Sequence, residues 1–95
     1  MMYNCSFIKY LWKDLDKKRQ LRTLEKQIVL PFPPAIGQEI GENEWFSGKI
    51  ERVVWDNTRQ FFTVKVSDII PKEGISAELL LDVALKQGWE AQDKN

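Results

Sequence analysis

Histidine is absent from this 95-residue chain, and cysteine occurs once. The first absence removes the side chain that most often serves as general base, proton shuttle or triad partner near neutral pH. The two together exclude a standard zinc site, which is built from Cys and His ligands. A lone Cys5 cannot close an intramolecular disulfide, so no oxidising compartment is implied, and in a strand-like context it reads as a small buried hydrophobe. Glycine is sparse, and neither a Walker loop nor a GxGxxG turn is present to cradle a phosphate. No apolar run approaches the ~20 residues of a membrane-spanning helix. Residues 1–12 lack a basic leader and a small-residue cleavage site, so no signal peptide and a cytoplasmic location are expected.

What is present is ordinary for a globular chain: 43% hydrophobic, 29% charged, and a formal net charge of zero. The length predicts one domain, over 1–89, with 90–95 as a disordered tail. Charge is unevenly placed. Residues 1–30 hold seven basic side chains against three acidic ones, and residues 31–95 hold seven against eleven. Such asymmetry either marks a polyanion-binding half or is neutralised between the halves on folding, and a nucleic-acid binder usually has a more clearly basic domain.

Alternation of residue types places the elements. Residues 3–12 and 21–32, both β-prone, flank an almost wholly polar stretch, which reads as a hairpin with Asp14–Lys18 near its tip. Leu24, Lys26, Ile28 and Leu30 would share one face, and Thr23, Glu25, Gln27 and Val29 the other. A competing pattern also exists: Ile8, Leu11, Leu15, Leu21, Leu24 and Ile28 fall at helical intervals, which would give a long helix over 7–29 packed on a three-stranded sheet. Pro31, Pro33 and Pro34 cannot donate to a central ladder, so that segment is an edge or a crossing loop rather than a PxxP ligand.

Residues 45–55 and 60–68 form the second hairpin, joined by Asp56-Asn57-Thr58-Arg59. Phe62, Val64 and Val66 alternate with Thr63, Lys65 and Ser67, but Val53, Val54 and Trp55 are all apolar. A β-bulge near Glu51-Arg52 accounts for that. Ser76 fits as N-cap of a helix over 77–87, with Gly88 at C′ and Trp89 at C″ folding back on the last turn.

The segment Pro34-Ala35-Ile36-Gly37, then Ile40, Ser47-Gly48-Lys49-Ile50, Val53-Val54-Trp55-Asp56 and Phe62-Thr63-Val64 resembles SH3-like small barrels such as Tudor and KOW modules. With its Leu-Pro-Phe-x-Pro lead-in it also resembles small uncharacterised bacterial proteins. The resemblance covers about residues 28–68, and it implies a fold but no binding residue. The expected architecture is α+β: an antiparallel, twisted sheet of about five strands curling toward a small barrel, closed by one C-terminal helix.

Candidate chemistry is thin. Glu39, Glu42, Glu44 and Asp56 are the carboxylates that would have to form an acid/base pair, but nothing in their spacing brings two together, so an enzyme is not expected and no cofactor or metal is called for. Aromatics lead instead. Trp45, Phe46 and Phe61 are the expected contacts of a non-catalytic protein-interaction module working through its sheet surface or edge, as monomer or homodimer, with Trp55 structural. The alternative is an RNA- or single-strand-binding module with Lys17, Lys18, Arg19 and Arg22 on phosphates and aromatics stacking bases.

Overall fold

Period-two alternation is honoured along most of the chain. In the computed structural model, which describes residues 1–41 and 48–92, Tyr3–Trp12 (β1) pairs antiparallel with Gln20–Leu30 (β2) from Tyr3↔Leu30 to Trp12↔Gln20. This is the expected first hairpin, and it overturns the long helix over 7–29. Leu24 and Leu30 are buried while Gln27 and Val29 are exposed, as the alternation requires. At the tip, the Arg19 guanidinium grips the Asp14 carboxylate through two bonds of 2.9 Å, and Lys17 takes a left-handed φ of 57°.

Glu39–Ile40 (β3), Gly48–Asp56 (β4) and Phe61–Val66 (β5) form the second unit. The β4–β5 register slips between Ile50 and Arg52, leaving Glu51 as the extra residue. That bulge turns Val53 and Trp55 onto the face that already carries Ile50, opposite Val64 and Phe62. Arg52, Val54 and Asp56 lie on the other face.

Sheet order is β3-β4-β5-β1-β2 followed by Glu90–Gln92 (β6). Two expectations are corrected here. The sheet is mixed, because β1 and β5 run parallel from Cys5↔Phe62 to Ile8↔Lys65. Short-range patterning shows which hairpins form but not how they dock. The sheet is also open, with β3 at one end of the order and β6 at the other. Residues 90–92, expected in a disordered tail, pair with Thr23–Glu25 of β2 because Ala91 meets Leu24 on the core face. Residues 93–95 lie outside the described residues. Among the described residues the result is a small, mostly β domain of six strands and one helix. The proline-bearing 31–38 segment carries the chain from β2 past β1 and β5 to the far edge, where Gly37 donates to the Ile50 carbonyl and Ile50 donates to that of Gln38, both at 2.8 Å.

Ala77–Lys86 (α1) begins as expected: the Ser76 hydroxyl accepts from the Leu79 N–H, and Glu78 sits in the first turn. It ends in a Schellman arrangement. The Trp89 N–H bonds the Ala84 carbonyl at 3.1 Å, the Gly88 N–H bonds that of Leu85, and Gly88 adopts φ 93°. A methyl group at Gly88 would meet only Lys26 Cε at 3.6 Å, so backbone strain is the whole cost of adding one. Gly88→Ala is expected to lose about 1 kcal/mol, read as a drop in melting temperature of several degrees with an unchanged circular dichroism spectrum. The inward face of α1 is Ala77, Leu80 and Ala84, while Leu79 and Leu85 are exposed.

Trp89, thrown inward by that cap, is the largest fully buried side chain, with 2% exposure. Its indole belongs to the core cluster that also holds Phe7, Leu11, Leu24, Val64, Leu80 and Ala84. Lys9, on the core face of β1, is also only 2% exposed. Its ammonium lies 5.6 Å from the Trp89 ring centroid, and that of Lys26 lies 5.7 Å away. The ring's negative face thus stabilises cations that β1 and β2 point into the core. Cys5 is buried, as expected, and burial pushes its thiol pKa up, which makes it inert.

Candidate functional site

The residues expected to make function fall into three groups. Trp45, Phe46, Glu42 and Glu44 lie outside the described residues. Phe61 is half-buried at the start of β5, on the face away from Val64. Glu39, exposed on β3 beside Lys49, and Asp56, at the far end of β4, are separated by roughly 20 Å of strand. Those two carboxylates cannot share a substrate proton. Asp56 already has a structural task, since its Oδ1 accepts the N–H groups of Thr58 and Arg59 at 3.0 Å and closes the turn.

The basic cluster is not assembled as one patch. Lys17 pairs with Asp68 at 3.2 Å, Lys18 with Asp16 at 3.6 Å, and Arg19 with Asp14 at 2.9 Å. Arg22 stands on β2 opposite Leu11 and donates to the Leu21 carbonyl. Three of these four basic side chains are therefore ion-paired, two within the tip itself and Lys17 with a carboxylate from the second half of the chain.

Asp68 is the hub of this end of the sheet. It accepts the Trp12 indole N–H at 2.9 Å and the Lys65 ammonium at 2.6 Å, besides its pair with Lys17. Burial alone would raise the Asp68 pKa, but the bonds from Lys65, Trp12 and Lys17 outweigh it and hold the carboxyl below its ordinary value. Lys65 also reaches Glu51 at 3.1 Å and lies 4.7 Å from the Tyr10 ring centroid. These groups tie the tip of the first hairpin to the end of β5. They satisfy one another and so act as a clasp.

The opposite end of the sheet is different. Trp55, expected to be structural, is 46% exposed. Its ring centroid is 5.0 Å from that of Phe62, which is 6.3 Å from that of Tyr3. This aromatic shelf occupies the core face beyond α1, which packs on β1 and β6. Beside it runs the outer edge of β4. β3 accompanies β4 only at Gly48 and Lys49, and the 37–38 segment bonds Ile50. Beyond Ile50, β4 pairs only with β5 among the described residues.

The direction of the free backbone groups follows from the turn. The Asp56 carbonyl accepts the Gln60 N–H at 2.8 Å, so it faces β5. Alternation along an antiparallel strand then turns Val54 toward β5, and turns the N–H and C=O of Val53 and Trp55 outward. The edge thus offers two residues' worth of ladder groups next to an exposed indole. Sequence reasoning passed over Val53 and Trp55 because their apolar character suggested burial. The readable signal was the bulge, which moves Trp55 to the core face where the hairpin ends.

Among the described residues, no group of three or more His, Cys, Asp or Glu is placed to hold a metal ion, and no helix is long and apolar enough to cross a membrane. No protein-family model, curated protein or solved structure matches this chain.

Proposed function

We propose that this chain is a non-catalytic protein-interaction module that takes up an extended polypeptide segment along the outer edge of β4. The observation that carries the reading is the pair of outward-facing backbone positions, Val53 and Trp55, lying beside the half-exposed Trp55 indole. Strand addition supplies main-chain hydrogen bonds, and an adjoining aromatic supplies apolar area for every second side chain of the incoming strand. Trp45, Phe46 and Phe61 keep their place as further contacts in this reading, and Trp55 joins them. The likeness of residues 28–68 to SH3-like barrels belongs here too, supported by the bulged β4–β5 hairpin. A reducing, cytoplasmic setting fits the single free thiol.

A protein partner is favoured over RNA for two reasons. Lys17, Lys18 and Arg19 are already ion-paired. They also sit at the opposite end of β1 from the aromatic shelf, about 30 Å away by strand rise.

The test compares the wild type with Val53→Pro, which removes an outward N–H from an edge strand, and with Trp55→Thr, which removes the indole. Both are used as tagged bait in native lysate with and without nuclease, after circular dichroism melts establish that they fold. Proteins captured by the wild type in both conditions and lost by both variants support edge binding. Capture that survives both substitutions, or that vanishes with nuclease, overturns it.

A further inference from the structure

The occupant that the edge fits best is a second copy of this chain: we infer that two molecules pair their β4 edges antiparallel about a two-fold axis through Val54. This rests on the reading above, that β4 accepts an extended strand, and it names the strand. A two-fold edge pairing must set outward-facing backbone groups against each other and must not oppose like charges. With Val54 opposite its own copy, Val53 stands opposite Trp55. These are the two residues with outward N–H and C=O groups, so they bond each other in both directions, twice over by symmetry.

The same register sets Arg52 opposite Asp56 of the second copy. Both lie on the face of β4 that carries Val54. Arg52 is exposed and makes no ion pair among the described residues. Asp56 has committed Oδ1 to the turn, and its other oxygen faces no donor among the described residues. The edge is therefore charge-complementary to itself. Neighbouring registers fail. An axis through Val53 drives Asp56 of the second copy onto Ile50, whose backbone is held by the 37–38 segment. An axis through Trp55 runs Val53 off the strand and into the turn at Asn57.

In the pairing that remains, the two sheets become continuous with both core faces on one side, and each Trp55 indole is flanked by Val53 of the other molecule. A contact of one short strand per molecule falls at the small end of specific interfaces, so the dimer is a weak, micromolar one.

Sedimentation of the purified full chain over a concentration series up to hundreds of micromolar tests this directly. The wild type is expected to dimerise reversibly. Arg52→Glu and Asp56→Lys each create two like-charge oppositions and are expected to dimerise about tenfold more weakly or worse. An equimolar mixture of the two variants is expected to dimerise as well as the wild type, because each substituted position then faces an opposite charge. Should Asp56→Lys fail to fold through loss of its turn, Asp56→Asn keeps the acceptor and its mixture with Arg52→Glu should exceed Arg52→Glu alone. Under mild oxidation Val54→Cys should crosslink to itself and Val53→Cys should not.

A wild type that stays monomeric throughout, a mixture no better than its parents, or equal crosslinking at both positions overturns the pairing. A monomeric wild type that still captures other proteins in a Val53→Pro-sensitive way overturns the dimer alone. A monomer that captures nothing overturns the interaction reading with it.

Discussion

Replacing Trp89 by alanine is expected to cost about 3–5 kcal/mol, a large share of the roughly 5–14 kcal/mol that holds a domain of this size together. Trp89 is the largest of the fully buried side chains, at 2% exposure, and it closes the helix cap, the core and the seat of a buried cation together. Truncation leaves a cavity in a close-packed core, which the rest of the cluster relaxes into only in part. It also strips the aromatic face from Lys9, whose ammonium is desolvated on the core side of β1, where a cation–π contact is worth about 2 kcal/mol. Urea unfolding followed by circular dichroism should show a midpoint shifted far down. Trp89→Phe, which keeps a ring at that place, should lose clearly less. Equal losses for the two would mean that a smaller ring restores neither the packing nor the contact with Lys9, so that the whole indole is required.

The second large effect is expected at Asp68. Asp68→Ala orphans the Trp12 N–H and deprives Lys65 of a 2.6 Å ion pair, while Lys17 loses its partner. The Asp68 and Lys65 side chains are only 13% and 17% exposed, so solvent replaces these partners poorly, although Glu51 and the Val66 carbonyl still hold Lys65. A loss of about 1–3 kcal/mol follows. The pH dependence carries a sign. Because folding holds the Asp68 carboxyl below its ordinary value, its ionised form stabilises the native state. That contribution is complete above the unfolded carboxylate pKa of about 4 and disappears as pH falls through the lower folded value. The wild type should therefore lose stability as pH drops below about 4, and Asp68→Asn, weaker at neutrality, should show a shallower acid limb in the same melts. Parallel acid limbs would place the acid sensitivity elsewhere.

Much of this fold was legible because its signals are local. The first hairpin follows from a polar tip between two β-prone runs. The bulge at Glu51 follows from three consecutive apolar residues, Val53, Val54 and Trp55, in a strand that has to face both ways. The helix ends follow from Ser76 and Gly88. What escaped is non-local. No pattern within β1 or β5 announces that they pair parallel, since that choice is made by packing between segments distant in sequence. Lys9 looks like an interruption of an apolar run until Trp89 arrives from the other end of the chain to cover it. Of the aromatics singled out at the second hairpin, Trp45 and Phe46 lie outside the described residues and Phe61 is half-buried, while the exposed one described is Trp55, which a run of three apolar residues does not distinguish from a buried one.

The parallel seam between β1 and β5 also sets the order in which the molecule is built. Each hairpin closes over a short turn at small entropic cost, whereas Cys5 and Phe62 must meet across more than half the chain. Folding is then a race between two quick local zippers followed by one slow encounter. Until that encounter, β1 and β5 each carry a bare edge, so a chain waiting to fold is at its stickiest along the line that ends up innermost.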